Sequence, residues 1–174
     1  MPSGKDRYAG FFQFPRKDWT ELTVVEEMIV SLKRERLESL RDPEGFSPDP
    51  PDVICLDPNN RRVAVEVVEA VSQEAVAENA RGNKVYRLWE PAEFAVHVGG
   101  LVLAKDAKVF NVGRFDRIVV CVHTDEPVVT PKEHGGAITS MPPIRLTRIA
   151  AAYLLFSYDS LSQCYPILRI PVAT

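Results

Sequence analysis

The chain has 174 residues, 45% of them hydrophobic and 26% charged, with a formal net charge of −3 and a pI of about 5.7. This length and composition predict one globular domain, residues 1–174, with a substantial core. A mildly acidic chain is not typical of a nucleic-acid binder, although net charge conceals local basic patches. No apolar run approaches the ~20 residues of a membrane span, so we expect no membrane association.

The cysteines and the N-terminus indicate a reducing compartment. Cys55, Cys121 and Cys164 lie within apolar runs, and an odd number without framework spacing predicts reduced, buried thiols. The first six residues lack the apolar segment of a secretory signal. We therefore expect a cytoplasmic protein, and the sequence leaves homo-oligomer formation open.

The first third of the chain predicts an arm, a helix and a loop. Residues 1–17 are aromatic and irregular, which indicates an arm packed against the domain. Asp18 is expected to cap a helix, with Glu21 reaching back to it. This helix should extend to about residue 40, because apolar residues recur along one side: Leu22, Val25, Ile29, Leu32 and Leu40. Prolines between Pro43 and Pro51 predict an extended loop after it.

The next segments predict a β-hairpin followed by helices. Residues 53–56 and 63–69 are rich in valine and isoleucine and flank a turn. Ser72 is expected to cap a second helix that contains Val76, Ala80, Val85 and Leu88 and ends at Pro91. A further helix through Leu101, Ala104 and Lys108 should close near Gly113.

The last third predicts more strands. Residues 115–124 form the clearest strand of the chain, and residues 126–143, with several prolines and glycines, predict a loop. We expect a short helix near Ile144 and two late strands at 153–158 and 165–170, although the first of these could instead prolong the helix. The predicted fold is therefore α/β, or alternatively α+β, with a central mixed β-sheet flanked by helices.

Two acids in the hairpin are candidates for chemistry. Asp52 directly precedes the first strand, and Glu66 lies within the second, on the same face as Arg62 and Ala64. A charged glutamate in such an apolar run is costly to bury unless a partner compensates it. That partner could be Mg²⁺, which prefers oxygen ligands, or an arginine such as Arg62.

The order of these features resembles a known superfamily. A helix that carries glutamates precedes Pro51-Asp52; a hairpin separates this pair from Glu66-Val67-Val68; and the strand at 115–124 follows. Over residues 18–125 this resembles the PD-(D/E)XK, or restriction-endonuclease-like, nucleases. Residues 144–174 would then be a C-terminal extension. The resemblance implies that Asp52 and Glu66 bind one or two Mg²⁺ ions and that the protein cleaves phosphodiester bonds in DNA or RNA.

The chain departs from the superfamily at one position. The resemblance implies a lysine two residues after the second acid, and Val68 stands there. A cation could reach the site from another element, and we select Lys84, on the predicted second helix, ahead of Arg81. The superfamily often adds a glutamate from the first helix. Glu26 and Glu21 lie at the edges of the apolar stripe, and we favour Glu26 because it is further into the helix.

Two functional hypotheses therefore remain open from the sequence. The intact pair Asp52 and Glu66 favours a magnesium-dependent phosphodiesterase, with Glu26 and Lys84 as its other catalytic residues. The valine at position 68 and the acidic pI favour a catalytically inactive nuclease-like domain that serves as a nucleic-acid or protein binding module.

Overall fold

The computed structural model describes residues 17–47, 50–83, 85–108 and 115–173. The helices are α1 (Lys17–Arg34), α2 (Gln73–Ala80), α3 (Pro91–Asp106) and α4 (Pro131–Ser140). The strands are β1 (Arg41–Gly45), β2 (Val53–Leu56), β3 (Arg62–Glu69), β4 (Arg117–His123), β5 (Ile144–Arg145), β6 (Ile149–Leu155), β7 (Ile167–Ile170) and β8 (Val172–Ala173). The predicted α/β class with a mixed sheet flanked by helices is confirmed.

The main sheet has six strands in the order β1-β2-β3-β4-β6-β7. Strands β1, β2 and β3 form an antiparallel meander. Strand β4 lies parallel to β3, and β6 lies parallel to β4, whereas β7 is antiparallel to β6. A parallel pair requires a long crossover connection, and the segment that contains α2 and α3 provides it between β3 and β4.

Each face of the sheet packs against its own helical layer. Alternate residues of β3, such as Ala64, join α3 and α4 in one apolar core. The intervening residues, such as Val65, join α1 in the other. Strands β3 and β4 are covered on both faces, which explains why their sequences are nearly continuous apolar runs. Glu66 is the exception within β3, and it lies on the face that α3 covers.

Helix α1 differs from the prediction at both ends. It begins at Lys17, so Asp18 is already helical and does not cap it. It ends at Arg34, because Arg36 adopts the left-handed conformation (φ 55°). The Leu37 N–H then bonds to the Leu32 carbonyl, which is the hydrogen bond of a Schellman C-cap. The predicted arm was residues 1–17: Lys17 belongs to α1, and residues 1–16 lie outside the described residues.

The predicted loop after α1 contains a strand. Residues of β1 pair with β2 at the edge of the sheet, and the register shifts between Arg41 and Glu44. Asp42 has a positive φ of 52° within this irregular stretch. Pro43 is tolerated there because an edge strand does not require every N–H for pairing. The hairpin of β2 and β3 is confirmed, with Val53 opposite Val65.

The segment between β3 and β4 contains two shorter helices. Ser72 caps α2 as predicted, accepting the Ala75 N–H at 3.2 Å. Helix α2 ends at Ala80, and Gly82 follows with a φ of +92°. Val85 and Leu88 are therefore outside it, contrary to the prediction. The predicted next helix is present as α3, which starts with Pro91 at its first turn. It ends at Asp106, so Lys108 lies beyond it, contrary to the prediction of a helix that closes near Gly113.

The predicted loop over 126–143 was wrong, because α4 lies within it. Thr130 caps this helix and Pro131 occupies its first turn, where a missing N–H costs nothing. Gly135 allows close packing, since a Cβ there would lie 3.1 Å from Leu168 Cδ1. The short helix expected near Ile144 is instead β5, whose Ile144 N–H bonds to the Pro171 carbonyl. The two late strands are confirmed as β6 and β7.

Replacement of Thr130 with alanine is expected to destabilise the protein by about 1 kcal/mol, because the helix loses its side-chain cap. The hydroxyl accepts the Glu133 N–H at 3.3 Å, and alanine would leave that donor unsatisfied. Thermal unfolding should shift downward by about 2–4 °C. Ser160→Ala, in an exposed turn, is the control and should leave the midpoint unchanged. An unchanged midpoint in Thr130→Ala would contradict the assigned cap.

Two further observations concern the whole described chain. No helix in the described ranges is long and apolar enough to cross a lipid bilayer. All three cysteines are free thiols: Cys55 and Cys121 are buried, as predicted, whereas Cys164 is partly exposed.

Candidate functional site

Asp52 lies where β2 and β3 stop pairing. The last pair of their ladder is Val53 with Val65, and Pro51, which has no N–H to donate, precedes Asp52. The Asp52 carboxylate takes the place of the missing strand partner: its Oδ2 accepts the Val67 N–H at 2.7 Å. The side chain is almost completely buried. The hairpin therefore positions this carboxylate directly beside the outer edge of β3.

Glu66 is fully buried in the middle of β3. Its Oε2 accepts a hydrogen bond from Lys105 Nζ at 2.7 Å and lies 3.4 Å from Lys108 Nζ. Its Oε1 is buried and has no hydrogen-bond partner within the described part of the chain. A buried carboxylate oxygen without a partner is energetically costly. Glu66 therefore has one oxygen compensated by lysines and one oxygen available to a ligand.

Lys105 joins the two acids. This residue is in the last turn of α3, and its side chain is only 12% exposed. Its ammonium lies 2.7 Å from Glu66 Oε2 and 3.7 Å from Asp52 Oδ2. Both carboxylates therefore face one cation, the Lys105 ammonium. The alternative partner of Glu66 is not used: the Arg62 guanidinium instead lies over the Phe115 ring, 5.3 Å from its centroid.

Helix α1 contributes a third acid to this cluster. Lys17 Nζ lies 2.9 Å from Glu21 Oε1 and 4.0 Å from Asp52 Oδ1. Burial raises the pKa of Glu21, and the negative charge of Asp52 raises it further, while Lys17 opposes both effects. Glu21 therefore interacts electrostatically with Asp52. We call Glu21, Asp52, Glu66, Lys105 and Lys108 the acid–lysine cluster.

The structure selects different auxiliary residues from those that the sequence indicated. Glu26 is exposed on α1. It lies five positions after Glu21, which at about 100° per residue rotates it about 140° around the helix. The glutamate beside Asp52 is therefore Glu21. Lys84, the cation that we selected, lies outside the described residues, and its alternative Arg81 pairs with Glu78 at the end of α2. Val68 packs against the apolar core.

Sequence reasoning missed Lys105. It lies 39 positions after Glu66 and enters the cluster only because α3 packs across the sheet face on which Glu66 lies. A signal was present: α3 is almost wholly apolar up to Leu103, and lysines then occur at positions 105 and 108, one helical turn apart. A charged pair at the end of a buried helix predicts an acidic partner on the surface that the helix covers.

The acid–lysine cluster contains oxygen ligands suitable for a hard divalent cation. Asp52 and Glu66 supply two carboxylates, and Mg²⁺ is commonly held by one or two carboxylates together with water. The unpartnered Glu66 Oε1 fits such an ion. No group of three or more histidine, cysteine or acidic side chains with metal-ligand geometry occurs within residues 17–47, 50–83, 85–108 and 115–173. A metal in the cluster would therefore take most of its ligands from water or substrate.

Comparison of the chain with protein-family models, with curated proteins and with solved structures gives no significant match.

Proposed function

We propose that this protein is a restriction-endonuclease-like, PD-(D/E)XK-related phosphodiesterase that cleaves nucleic acid with Mg²⁺, and that Lys105 replaces the lysine missing at position 68. The observation that carries the proposal is the Lys105 ammonium, which contacts both Asp52 and Glu66. The chemistry requires a cation at the right point in space and not at a fixed sequence spacing. Buried free thiols at Cys55 and Cys121 are consistent with action in the cytoplasm.

The topology supports the same proposal. Helix α1 precedes an antiparallel meander of three strands, a helical crossover follows, and β4 then pairs in parallel with β3. The acids occupy the start of the second strand and the middle of the third, which is the arrangement that the resemblance implies. The elements between residues 17 and 123 thus keep the order on which the resemblance was based.

Four side chains of the cluster have a definable role in the proposed reaction. Asp52 and Glu66 would hold the ion, and Mg²⁺ when bound supplies activation of water and stabilisation of negative charge on the phosphate. Lys105 would hold the two carboxylates in position and offer its positive charge to a phosphate oxygen. Glu21, whose pKa is raised mainly by burial, can accept or release a proton close to Asp52.

One observation favours the second candidate function, a nuclease-like binding module without catalysis. Glu66 Oε2 already faces two lysines, and Asp52 Oδ1 and Oδ2 each face one. Such pairing can stabilise the fold without any metal. An inactive module would bind nucleic acid or protein through another surface and would tolerate neutralisation of Glu66 without loss of binding.

Glutamine substitutions distinguish the two functions. Mg²⁺- or Mn²⁺-dependent cleavage of single- and double-stranded DNA and RNA is expected in the wild type. Glu66→Gln should lower the rate at least about 100-fold, which corresponds to about 2.7 kcal/mol of transition-state stabilisation. Calorimetric titration with Mn²⁺ should show binding to the wild type and none to Glu66→Gln.

The matched control is Glu26→Gln, on the exposed side of α1, which should retain wild-type cleavage, whereas Glu21→Gln should reduce it. Circular dichroism would verify that each variant is folded. Absence of both metal binding and cleavage in the folded wild type would refute the phosphodiesterase and leave the binding module.

A further inference from the structure

A polar cavity lies outside the acid–lysine cluster, and no residue of the cluster lines it. It has a volume of about 300 Å³ and opens on the sheet face that α1 covers, beyond the end of that helix. Its walls are the segment 37–39 after α1 and the turn 57–61 between β2 and β3. Its floor is formed by β4, β6 and β7. We call it the arginine pocket, because Arg61, Arg117 and Arg169 line it.

Small side chains make room for the pocket. Ala151 of β6 lies on its floor, between Arg117 of β4 and Arg169 of β7. Helix α1 ends at Arg34 and therefore does not extend over the alanine. Tyr153, the strand partner of Arg169, closes the inner side. The floor is therefore a depression with guanidinium groups on either side of it.

The charges of the arginine pocket do not balance. Arg61 Nε lies 2.8 Å from Asp57 Oδ2, and Arg117 pairs with Glu38. Arg169 has no ion pair within the described ranges. Three guanidinium groups thus face two carboxylates, which leaves one positive charge in excess. Arg117 Nε is also buried and lacks a hydrogen-bond partner among the described residues.

The Tyr153 hydroxyl interacts electrostatically with both Arg117 and Arg169. Burial raises the pKa of the Tyr153 hydroxyl, and the positive charges of Arg169 and Arg117 oppose that rise. The hydroxyl donates a hydrogen bond to Glu38 Oε2 at 2.6 Å, which directs the negative charge of Glu38 towards Tyr153 and Arg117. Arg169 lines the cavity without a carboxylate partner among the described residues.

We propose that the arginine pocket binds a phosphate group. Guanidinium groups pair with phosphate oxygens through parallel N–H···O bonds, and this geometry is stronger than that of neutral donors. Arg169, which has no ion pair within the described ranges, supplies the main donor, and Asn59 and Ser39 line the rim. The volume is at the lower limit of small-molecule sites, which suits a phosphate with part of a sugar. This site is independent of the proposed phosphodiesterase.

Thermal unfolding in potassium phosphate tests the site. Relative to potassium chloride at equal ionic strength, saturating phosphate should raise the wild-type midpoint by about 3–5 °C. Arg169→Ala should weaken phosphate affinity at least about tenfold, since it removes a charge-assisted hydrogen bond. Arg145→Ala, an exposed strand arginine on β5, is the matched control and should behave like the wild type. Arg169 is itself exposed, so the substitution should not prevent folding.

Three further probes identify the source of the phosphate. Tighter binding of a nucleoside 5′-monophosphate than of inorganic phosphate would assign a phosphorylated small molecule. Tighter binding of a 5′-phosphorylated oligonucleotide than of its 5′-hydroxyl counterpart would assign a nucleic-acid end. The proposal fails if no phosphate probe changes the unfolding midpoint. It also fails if Arg169→Ala, like the control Arg145→Ala, binds every probe as tightly as the wild type does. Neither failure would affect the metal-dependent cleavage assay.

Discussion

Replacement of Lys105 with methionine is expected to lower the free energy of unfolding by about 3 kcal/mol, the lower end of the cost of breaking a buried ion pair. The ammonium lies 2.7 Å from a fully buried carboxylate, and methionine would fill the space without supplying charge. Lys108 Nζ, 3.4 Å from Glu66 Oε2, would still compensate part of the Glu66 charge. We therefore expect a loss of stability at the lower end of the range. Urea unfolding of both proteins measures the difference.

The same substitution should also abolish the proposed cleavage. Loss of a charge that stabilises a developing negative charge typically reduces the rate by about 10²–10³-fold. Because an unfolded variant would also be inactive, the cleavage assay is run without urea, at a temperature at which circular dichroism shows that the variant has the native spectrum. Lys132→Met, an exposed position on α4, is the control for both measurements.

A double variant separates structure from catalysis. Neutralising Glu66 in the same chain, as Lys105→Met with Glu66→Gln, removes the uncompensated charge and should recover at least half of the lost stability. It should not recover any cleavage, because the proposed metal ligand is then also lost. A Lys105→Met protein as stable as the wild type would show that Glu66 does not depend on this lysine.

Acidification is expected to destabilise the protein through His123, and this is the second large effect. Burial lowers the pKa of this histidine to about 4, compared with about 6.5 in an unfolded chain. Between these values the unfolded chain binds a proton that the folded protein excludes, so stability falls as the pH decreases. The expected loss from His123 is about 2 kcal/mol between pH 7 and pH 5.

Glu69, the strand partner of His123, opposes this dependence. Glu69 is exposed at the end of β3, and partial desolvation, together with the negative charges of Asp125 and Glu126, raises its pKa to about 7. Between about pH 4.5 and pH 7 the folded protein holds a proton that the unfolded chain has released, so this group contributes stability that is lost as the pH rises. The pH dependence of the wild-type unfolding free energy is therefore the sum of two opposite contributions, one from His123 and one from Glu69.

Two variants separate the contributions of His123 and Glu69 to the pH dependence of the unfolding free energy. Relative to the wild type, His123→Leu should raise the unfolding free energy at pH 5 compared with that at pH 7, both measured in urea, by about 2 kcal/mol. Glu69→Gln should make the unfolding free energy more sensitive to acidification, because the opposing group is removed. If His123→Leu retained the wild-type difference between the two pH values, the histidine would not be the group that couples stability to protonation.

The hairpin and its acids could be predicted because their signals are local. The valine-rich runs, the intervening turn and the placement of Asp52 and Glu66 all lie within 18 consecutive positions. Strand periodicity alone determines which side chains share a face. The clear strand at β4 was predictable for the same reason, since its apolar run is uninterrupted.

The rest of the acid–lysine cluster depends on tertiary packing. Lys105 reaches Glu66 because α3 lies across one face of the sheet, and no local pattern specifies where a helix docks. The choice between Glu21 and Glu26 depends on which edge of α1 faces Asp52, whereas the apolar stripe defines only which side is buried. Helix α4 was missed because its prolines and glycines weigh against helix, yet Thr130 caps it and Gly135 permits its close packing.

The hydrogen bond from Val67 to Asp52 couples the cluster to the backbone. One carboxylate oxygen of Asp52 accepts the Val67 N–H, at the stretch of β3 that β2 does not cover. Any ligand that draws this oxygen away would leave that amide exposed to exchange with solvent deuterium. The Val67 amide is thus a natural spectroscopic probe, one that reports occupancy of the carboxylates without a label or a substrate.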